Sequence, residues 1–209
     1  MGDSPARGSA PSKLTSVSNH LYNRAWVTLN GLNASATPER NHPDGRSFQV
    51  VWLRNVDRLI RAAQRHGADT NAAHFVDVGC GVGIPSIYAE RRYDFAGASG
   101  FDLDPSLVDV AKANSKASGD RCEFWVADAN HEVLPSRKTV LFMFNPFGAE
   151  TARKFLNLNA PALIRTGSVA LLANDHLLPV FMEHGTLLWR SQRWNCSVVA
   201  LKSRVHPDP

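Results

Sequence analysis

The order of apolar and polar residues along the chain predicts alternating strands and helices. Short apolar runs, typical of strands buried on both faces, are separated by segments whose apolar residues recur every three or four positions. Such alternation is typical of a mostly parallel sheet covered by helices. The predicted strands lie within 75–78, 95–105, 122–131, 139–145 and 168–173, with a closing hairpin at 187–194 and 196–202. Helices are predicted at 85–92, 106–116 and 149–165.

The segment before the first strand contains a clear amphipathic pattern. Residues 48–66 carry one apolar stripe at helical spacing, and Gly67 is suited to end that helix. A row of arginines on the outer face could follow the phosphates of a nucleic acid. No aromatic residue is interleaved with this row in the sequence and no RNA-binding motif accompanies it, so we expect a solvated helix face. The arginines are Arg54, Arg58, Arg61 and Arg65.

Composition divides the chain into three parts. Residues 1–17 are rich in Ser, Pro, Gly and Ala and have little to bury, so they are predicted to be a disordered tail. Residues 18–67 are a predicted N-terminal helical segment, although 19–46 shows no clear period. Residues 68–205 form the predicted core of the fold, and the last four residues are expected to fray.

The bulk composition indicates one ordinary globular domain. With 209 residues, 44% hydrophobic and 20% charged, the chain can bury a substantial core. It has no apolar run long enough to span a membrane, no signal-peptide pattern near Met1, and three widely spaced cysteines. We therefore expect a cytoplasmic protein without disulfides or a metal site. The net charge of +4 permits an acidic substrate or a nucleic acid but requires neither.

One stretch, D-V-G-C-G-V-G at 77–83, joins the end of a strand to three alternating glycines. Glycines allow a tight turn and a close approach of the backbone to a ligand, and Pro85 suits the first turn of a helix. A dinucleotide fingerprint would need Gly or Ala in place of Ile84, and the phosphate-loop motif is absent. Asp77 would repel a pyrophosphate and attract a cation, which favours a ligand with an ammonium or sulfonium group.

This stretch resembles motif I of the class I S-adenosylmethionine-dependent methyltransferases. The resemblance implies a Rossmann-like sheet, mostly parallel, with seven strands of which the last is antiparallel, and helices on both faces. It implies S-adenosylmethionine as cofactor, S-adenosylhomocysteine as product, a catalytic core at 68–205, and an N-terminal lid at 18–67. In such a lid His20, Tyr22, Trp26 and His42 are conceivable substrate contacts. The residues implied to hold the methionine end of the cofactor are Asp77, Gly79, Cys80, Gly81 and Gly83.

Two further acids follow the next two predicted strands, in the order of the family's motifs II and III. The resemblance assigns the ribose to Asp102, with Leu103 beside it, and the adenine to Asp128 and the Ala129 N–H. Asp104 precedes a proline and is expected to cap the following helix instead. Three acids after three successive strands are the strongest sequence signal for this cofactor.

The fourth predicted strand ends in N-P-F at 145–147, where amino-methyltransferases carry [DN]-P-P-[YFW]. The chain has one proline fewer, and its form resembles a group of small bacterial class I methyltransferases. The resemblance implies that Asn145 and Phe147 contact the methyl acceptor, and Asn145 is also a candidate cofactor contact. His176, after the fifth strand, could act as a base or steer the acceptor.

Together these motifs predict a methyltransferase that modifies an N or O atom of an acceptor. A small molecule or a protein amine is favoured over a nucleic acid, because the positive charge is modest and no separate recognition domain is visible. Three alternatives stay open: a nucleic-acid base or protein N-methyltransferase, a non-catalytic binding module of the same fold, and a Rossmann-type oxidoreductase. The sequence does not determine the acceptor or the oligomeric state.

Overall fold

The computed structural model describes residues 12–39 and 48–202, in which seven strands form one sheet. The strands are ordered β3-β2-β1-β4-β5-β7-β6. Strands β1 to β5 are parallel, and β7 runs antiparallel to both β5 and β6. This is the expected class I methyltransferase sheet. The strands are β1 (His74–Val78), β2 (Gly97–Asp102), β3 (Glu123–Val126), β4 (Thr139–Met143), β5 (Val169–Ala173), β6 (Gly185–Ser191) and β7 (Cys196–Leu201).

Helices cover both faces of the sheet, because its central strands are apolar on both sides. Every residue of β1, β4 and β5 is buried, as expected for parallel strands between two helical layers. One core cluster joins β1 and β4 to α2 and α3, and the other joins them to α5 and α6. The helices are α1 (Lys13–Leu29), α2 (Leu53–Arg65), α3 (Ile84–Arg92), α4 (Pro105–Ser118), α5 (Ala149–Arg165) and α6 (Leu178–Phe181).

The N-terminal part differs most from the prediction. Helix α1 begins at Lys13, where the Ser12 side chain caps it by accepting from the Thr15 N–H, so residues 13–17 are not a disordered tail. Residues 1–11 lie outside the described residues. Helix α2 begins only at Leu53, and residues 48–52 are not helical. The apolar residues of 48–52 therefore pack against the rest of the fold without belonging to the helix.

The parallel register brings the carboxyl ends of the central strands to one edge of the sheet. Val78 at the end of β1 is level with Phe101 of β2 and Met143 of β4. The loops that follow these strands therefore start side by side, where ligands bind in open α/β sheets. No helix in the described part of the chain is long and apolar enough to cross a membrane.

Candidate functional site

The glycine turn after β1 is packed between two other segments of the chain. Gly79, Gly81 and Gly83 have φ values of 73°, 51° and 77°. A Cβ on Gly79 would lie 2.5 Å from Cβ of Pro146, and one on Gly81 would lie 2.6 Å from the ring of Phe48. The turn therefore needs glycine both for its left-handed backbone and for the close approach of its neighbours.

Asp77 is a buried acid at the base of the cleft formed by these loops. Its side chain is 2% exposed, and Oδ2 has no hydrogen-bond partner among the described residues. Burial raises the pKa of this carboxyl well above its ordinary value, and nearby Asp102 raises it further. An acid in this condition is stabilised by a donor or a cation supplied by a ligand.

Asp102 ends β2 and is held in place by backbone donors. Its Oδ2 accepts from the Gly81 N–H at 2.9 Å, and its Oδ1 accepts from the Asp104 N–H at 3.0 Å. Burial raises the pKa of Asp102, and these N–H bonds oppose that rise. Each carboxylate oxygen can accept a second hydrogen bond, so a ligand with two adjacent hydroxyls can still be bound.

Asp104 has the capping role predicted from Pro105. Its Oδ1 accepts from the Ser106 N–H at 2.8 Å and the Leu107 N–H at 3.3 Å, at the first turn of α4. Its Oδ2 accepts from the Glu39 N–H at 2.5 Å, which fastens the N-terminal segment to this helix end.

Asp128 lies after β3 in a tight turn. Its Oδ1 accepts from the backbone N–H of Asn130 at 2.8 Å and from the Asn130 side chain at 2.9 Å. Its Oδ2 lies 3.5 Å from Nδ1 of His131. The carboxylate is therefore oriented by the turn that follows it, and Ala129 beside it is buried.

One cleft at the carboxyl edge brings the predicted cofactor residues together with Asn145 and Phe147. Cys80 also lines it, and burial raises the pKa of this thiol well above its ordinary value, which disfavours the thiolate that a nucleophile needs. The predicted site residues that line the cleft are Asp77, Gly79, Cys80, Gly81, Asp102, Leu103, Asp128, Ala129, Asn145 and Phe147. Gly83 does not line it, since a Cβ there would meet the ring of Phe124 at 2.6 Å.

The N-P-F segment forms a sharp turn at the end of β4. Asn145 has a φ of 51°, a left-handed conformation uncommon for a residue other than glycine. Its Oδ1 is buried and has no partner within the described residues. A strained backbone and an unpaired acceptor atom in one residue are typical of a position kept for a ligand.

His176 supports this turn from behind instead of lining the cleft. Its Nε2 lies 3.1 Å from the Phe147 carbonyl oxygen, so Nε2 carries the proton and donates. Its Nδ1 is buried without a partner among the described residues. The side chain is thus placed to position Phe147, and the geometry gives no support to a direct base.

The residues of the N-terminal segment that were predicted as possible substrate contacts lie away from the cleft where the structure describes them. Tyr22 bonds the Tyr88 hydroxyl at 2.9 Å, Trp26 packs edge-on against the Tyr88 ring, and His20 packs on Trp52. None of these three lines the cleft. His42 lies outside the described residues.

Pro38 and Phe48 line the cleft, although the sequence analysis did not select them as site residues. Pro38 follows Thr37, whose carbonyl accepts from the Ser106 hydroxyl at 3.2 Å, so α4 holds this segment over the cleft. The only sequence signal was the expectation that 18–67 closes over the cofactor. It could not identify these two residues, because their contacts are with loops far along the chain.

The central part of the chain is similar to known proteins. Residues 75–158 match the family model described as a methyltransferase domain. Over these residues, which are fewer than half of the chain, the protein is similar to methyltransferase domains. No curated protein matches the chain.

Solved structures with the same fold extend the similarity beyond this domain. The Thermoplasma acidophilum protein 1320 is 17% identical, over 88% of this chain and 98% of its own, with a TM-score of 0.53. A TehB-like S-adenosylmethionine-dependent methyltransferase from Corynebacterium glutamicum is 15% identical, over 90% and 100%, with a TM-score of 0.51. A candidate class I methyltransferase from Listeria monocytogenes is 13% identical, over 91% and 69%, with a TM-score of 0.54. At these identities the similarity shows the fold of the methyltransferase domain.

Proposed function

We propose that the chain transfers a methyl group from S-adenosylmethionine, the cofactor of this family, to a nitrogen or oxygen atom held at Asn145 and Phe147. One observation carries the proposal. The cleft contains two buried side-chain oxygens that lack donors within the described residues. They are Asp77 Oδ2, near the end of β1, and Asn145 Oδ1, after β4. Two unpaired acceptors in one cleft indicate ligand groups that donate or carry positive charge.

The hydrogen-bonding groups of the cleft suit this cofactor. Asp77 would face the ammonium of its methionine part, which supplies the positive charge that this buried carboxylate lacks. Asp102, kept in place by the Gly81 and Asp104 N–H groups, would accept from the ribose hydroxyls. Asp128 and the Ala129 N–H would meet the adenine edge. The glycine turn would let the backbone approach the methionine part closely.

The acceptor end provides orientation without a strong base. The bound cofactor supplies a methyl carbon attached to a positively charged sulfur, and hence an electrophile. Asn145 would accept a hydrogen bond from the acceptor N–H or O–H, and so turn a lone pair of that atom towards the methyl group. Phe147, buried beside it, would limit the orientation of the acceptor. Positioning of this kind can provide much of the acceleration.

Calorimetric binding of S-adenosylhomocysteine tests the cofactor part of the proposal. We expect micromolar binding to the wild type, weakened by about 1.5–3 kcal/mol in Asp102→Ala, because a charge-assisted hydrogen-bond pair is lost. Asp109→Ala removes an exposed acid of α4 outside the cleft and should bind like the wild type. A folded wild-type protein that does not bind, or equal losses in both variants, would contradict the proposal.

A further inference from the structure

A cluster of arginines and aromatic rings lies beside the acceptor end of the cleft, on α2, α1 and the β6–β7 turn. Arg58 lies with its guanidinium carbon 3.6 Å from the centre of the Trp194 ring, and that of Arg193 lies 5.2 Å from the same ring. Arg54 lies 4.8 Å over the Tyr22 ring. These five residues are called the arginine–aromatic patch below. They are brought together from three separate parts of the chain.

The guanidiniums of the patch have neutral partners. Arg54 donates to the Ser18 hydroxyl at 2.8 Å, and Arg58 donates to the Asn55 side chain. Within residues 12–39 and 48–202 none of the three arginines forms an ion pair with a carboxylate. Three neighbouring positive charges without a counter-charge create a site for an anion.

Asp57 lies near this cluster but already has other partners. Asp57, the one acid of α2, accepts from the Tyr88 hydroxyl at 2.8 Å and from the Tyr93 hydroxyl at 2.6 Å, and lies 3.8 Å from Arg92. Burial is the main cause that lowers the pKa of Arg58, and Arg54 and Arg193 lower it further, while Cys196 and Asp57 oppose this. The two arginines are thus close enough to Arg58 to repel it.

The patch is adjacent to the cleft. Trp52, which precedes α2, packs edge-on against Trp194 with ring centres 6.5 Å apart, and its neighbour Val51 lines the cleft. The turn before β7 and the Asn145 turn after β4 lie at the same sheet edge, two strands apart. Neighbouring strands are about 4.8 Å apart, so roughly 10 Å separates the two turns along that edge.

The length of the charged surface favours a nucleic acid strand as the ligand over a single small anion. Arg54 and Arg58 begin a row that continues along α2 to Arg61 and Arg65, a span of about 16 Å at 1.5 Å per residue. A nucleic acid strand carries evenly repeated charges over such a distance, and its bases can stack on guanidinium planes. An acidic peptide offers the charge without the planar groups.

We propose that the arginine–aromatic patch binds the phosphate backbone of a single-stranded nucleic acid and presents one of its bases to the Asn145–Phe147 turn. This inference rests on the proposed function and names the acceptor class. It revises the expectation that the acceptor is a small molecule or a protein amine. It also revises the expectation of a solvated helix face, which depended on the absence of aromatic residues among the arginines of α2. Trp194 and Tyr22 supply them from other elements.

Fluorescence anisotropy with a labelled mixed-sequence RNA of about 12 nucleotides, within the usual site sizes, tests this proposal. The full chain should bind it with a logarithmic salt slope near −2, as expected for about three neutralised phosphates on a single strand. Arg54→Gln/Arg193→Gln should weaken binding about tenfold or more and bring the slope to between about −1 and zero. Arg58→Lys should keep the slope and lose about threefold in affinity, because the charge remains but the stacked plane is lost.

The control is Lys112→Gln/Arg121→Gln, which removes the same charge from exposed positions outside the patch and should bind within about twofold of the wild type. Calorimetry with S-adenosylhomocysteine on the same samples should give equal affinity for all variants, which separates a failure of this inference from a failure of the cofactor proposal. Three results would overturn the inference: equal losses in the control, competition by polyglutamate or a mononucleotide as strong as by unlabelled RNA, or no RNA binding by a wild type that binds S-adenosylhomocysteine.

Discussion

The two ends of the cleft are built in different ways. At the proposed cofactor end, Asp77, Asp102 and Asp128 each lie at or within two residues of the end of a strand, and a short motif positions each one. At the proposed acceptor end, Asn145 follows β4, but His176, which bonds the Phe147 carbonyl, comes from the segment after β5. The arginine–aromatic patch comes from α1, α2 and the β6–β7 turn. The first end is therefore recognisable from local sequence, whereas the second is visible only after folding.

Contacts between the two ends connect them physically. The glycine turn of the cofactor end touches Pro146 of the acceptor end and Phe48 of the N-terminal segment, at distances that leave no space for a methyl group. Three kinds of substitution are compared below: at this junction, within the cofactor end and behind the acceptor end. They should differ in how far they change stability, cofactor binding and methyl transfer.

The largest effect is expected at the junction, from Gly79→Ala. The new Cβ would lie 2.5 Å from Cβ and 3.2 Å from Cα of Pro146, on a backbone with φ of +73°. Overpacking and left-handed strain together should lower the free energy of unfolding by about 3–5 kcal/mol, and S-adenosylhomocysteine binding should weaken as well. Chemical denaturation and calorimetry measure the two quantities.

Gly119→Ala is a matched control, because Gly119 has nearly the same φ of +72° with nothing within 4 Å of a new Cβ. It should lose only about 1–2 kcal/mol from the backbone strain and keep full cofactor affinity. Equal losses at Gly79 and Gly119 would show that the contact with Pro146 has no energetic importance.

An intermediate effect is expected from Asp77→Asn at the cofactor end. Folding raises the pKa of Asp77, so the folded chain holds this proton more tightly than the unfolded chain, and stability is lost as pH rises above the ordinary value of 3.8. The variant lacks this loss. It should be more stable than the wild type by about 1–3 kcal/mol at neutral to alkaline pH, while binding S-adenosylhomocysteine more weakly.

Denaturation series from pH 3 to pH 8 would follow this difference, which should shrink as pH falls towards 3.8. A variant that is less stable than the wild type at pH 8 would indicate that Asp77 is already satisfied in the free protein. Unchanged cofactor affinity would remove Asp77 from the proposed ammonium site.

The smallest effect is expected behind the acceptor end, from His176→Ala. Loss of the Nε2–H bond to the Phe147 carbonyl should lower the free energy of unfolding by about 0.5–1.5 kcal/mol and leave S-adenosylhomocysteine affinity unchanged. Methyl transfer should fall in His176→Ala and recover in His176→Gln, which retains an N–H donor without a titratable ring. If His176→Gln is as slow as His176→Ala and changes the pH profile, a base role would replace the positioning role.

The agreement between sequence and structure follows the same division. The central strands, helix α5 and the Asp104 cap were predicted within a few residues, because apolar runs and capping residues act locally. The start of α1 was missed, because its Ser-rich first turn suggests disorder. The helix is instead held by packing against the rest of the fold, where Asn19 and Asn23 are buried. Residues 48–52 continue a helical pattern but are not helical, because Phe48 packs on Gly81 and the Val51 carbonyl accepts from Asn23.

The sequence alone determined the sheet, the glycine turn and the three acids of the cofactor end, because each depends on residues that are neighbours in the chain. Only the tertiary structure decided that His176 lies behind the Phe147 turn, that Phe48 covers the glycine turn, and that Trp194 stacks on Arg58. Those contacts join residues 29 to 136 positions apart, through packing of elements whose relative placement no local pattern encodes.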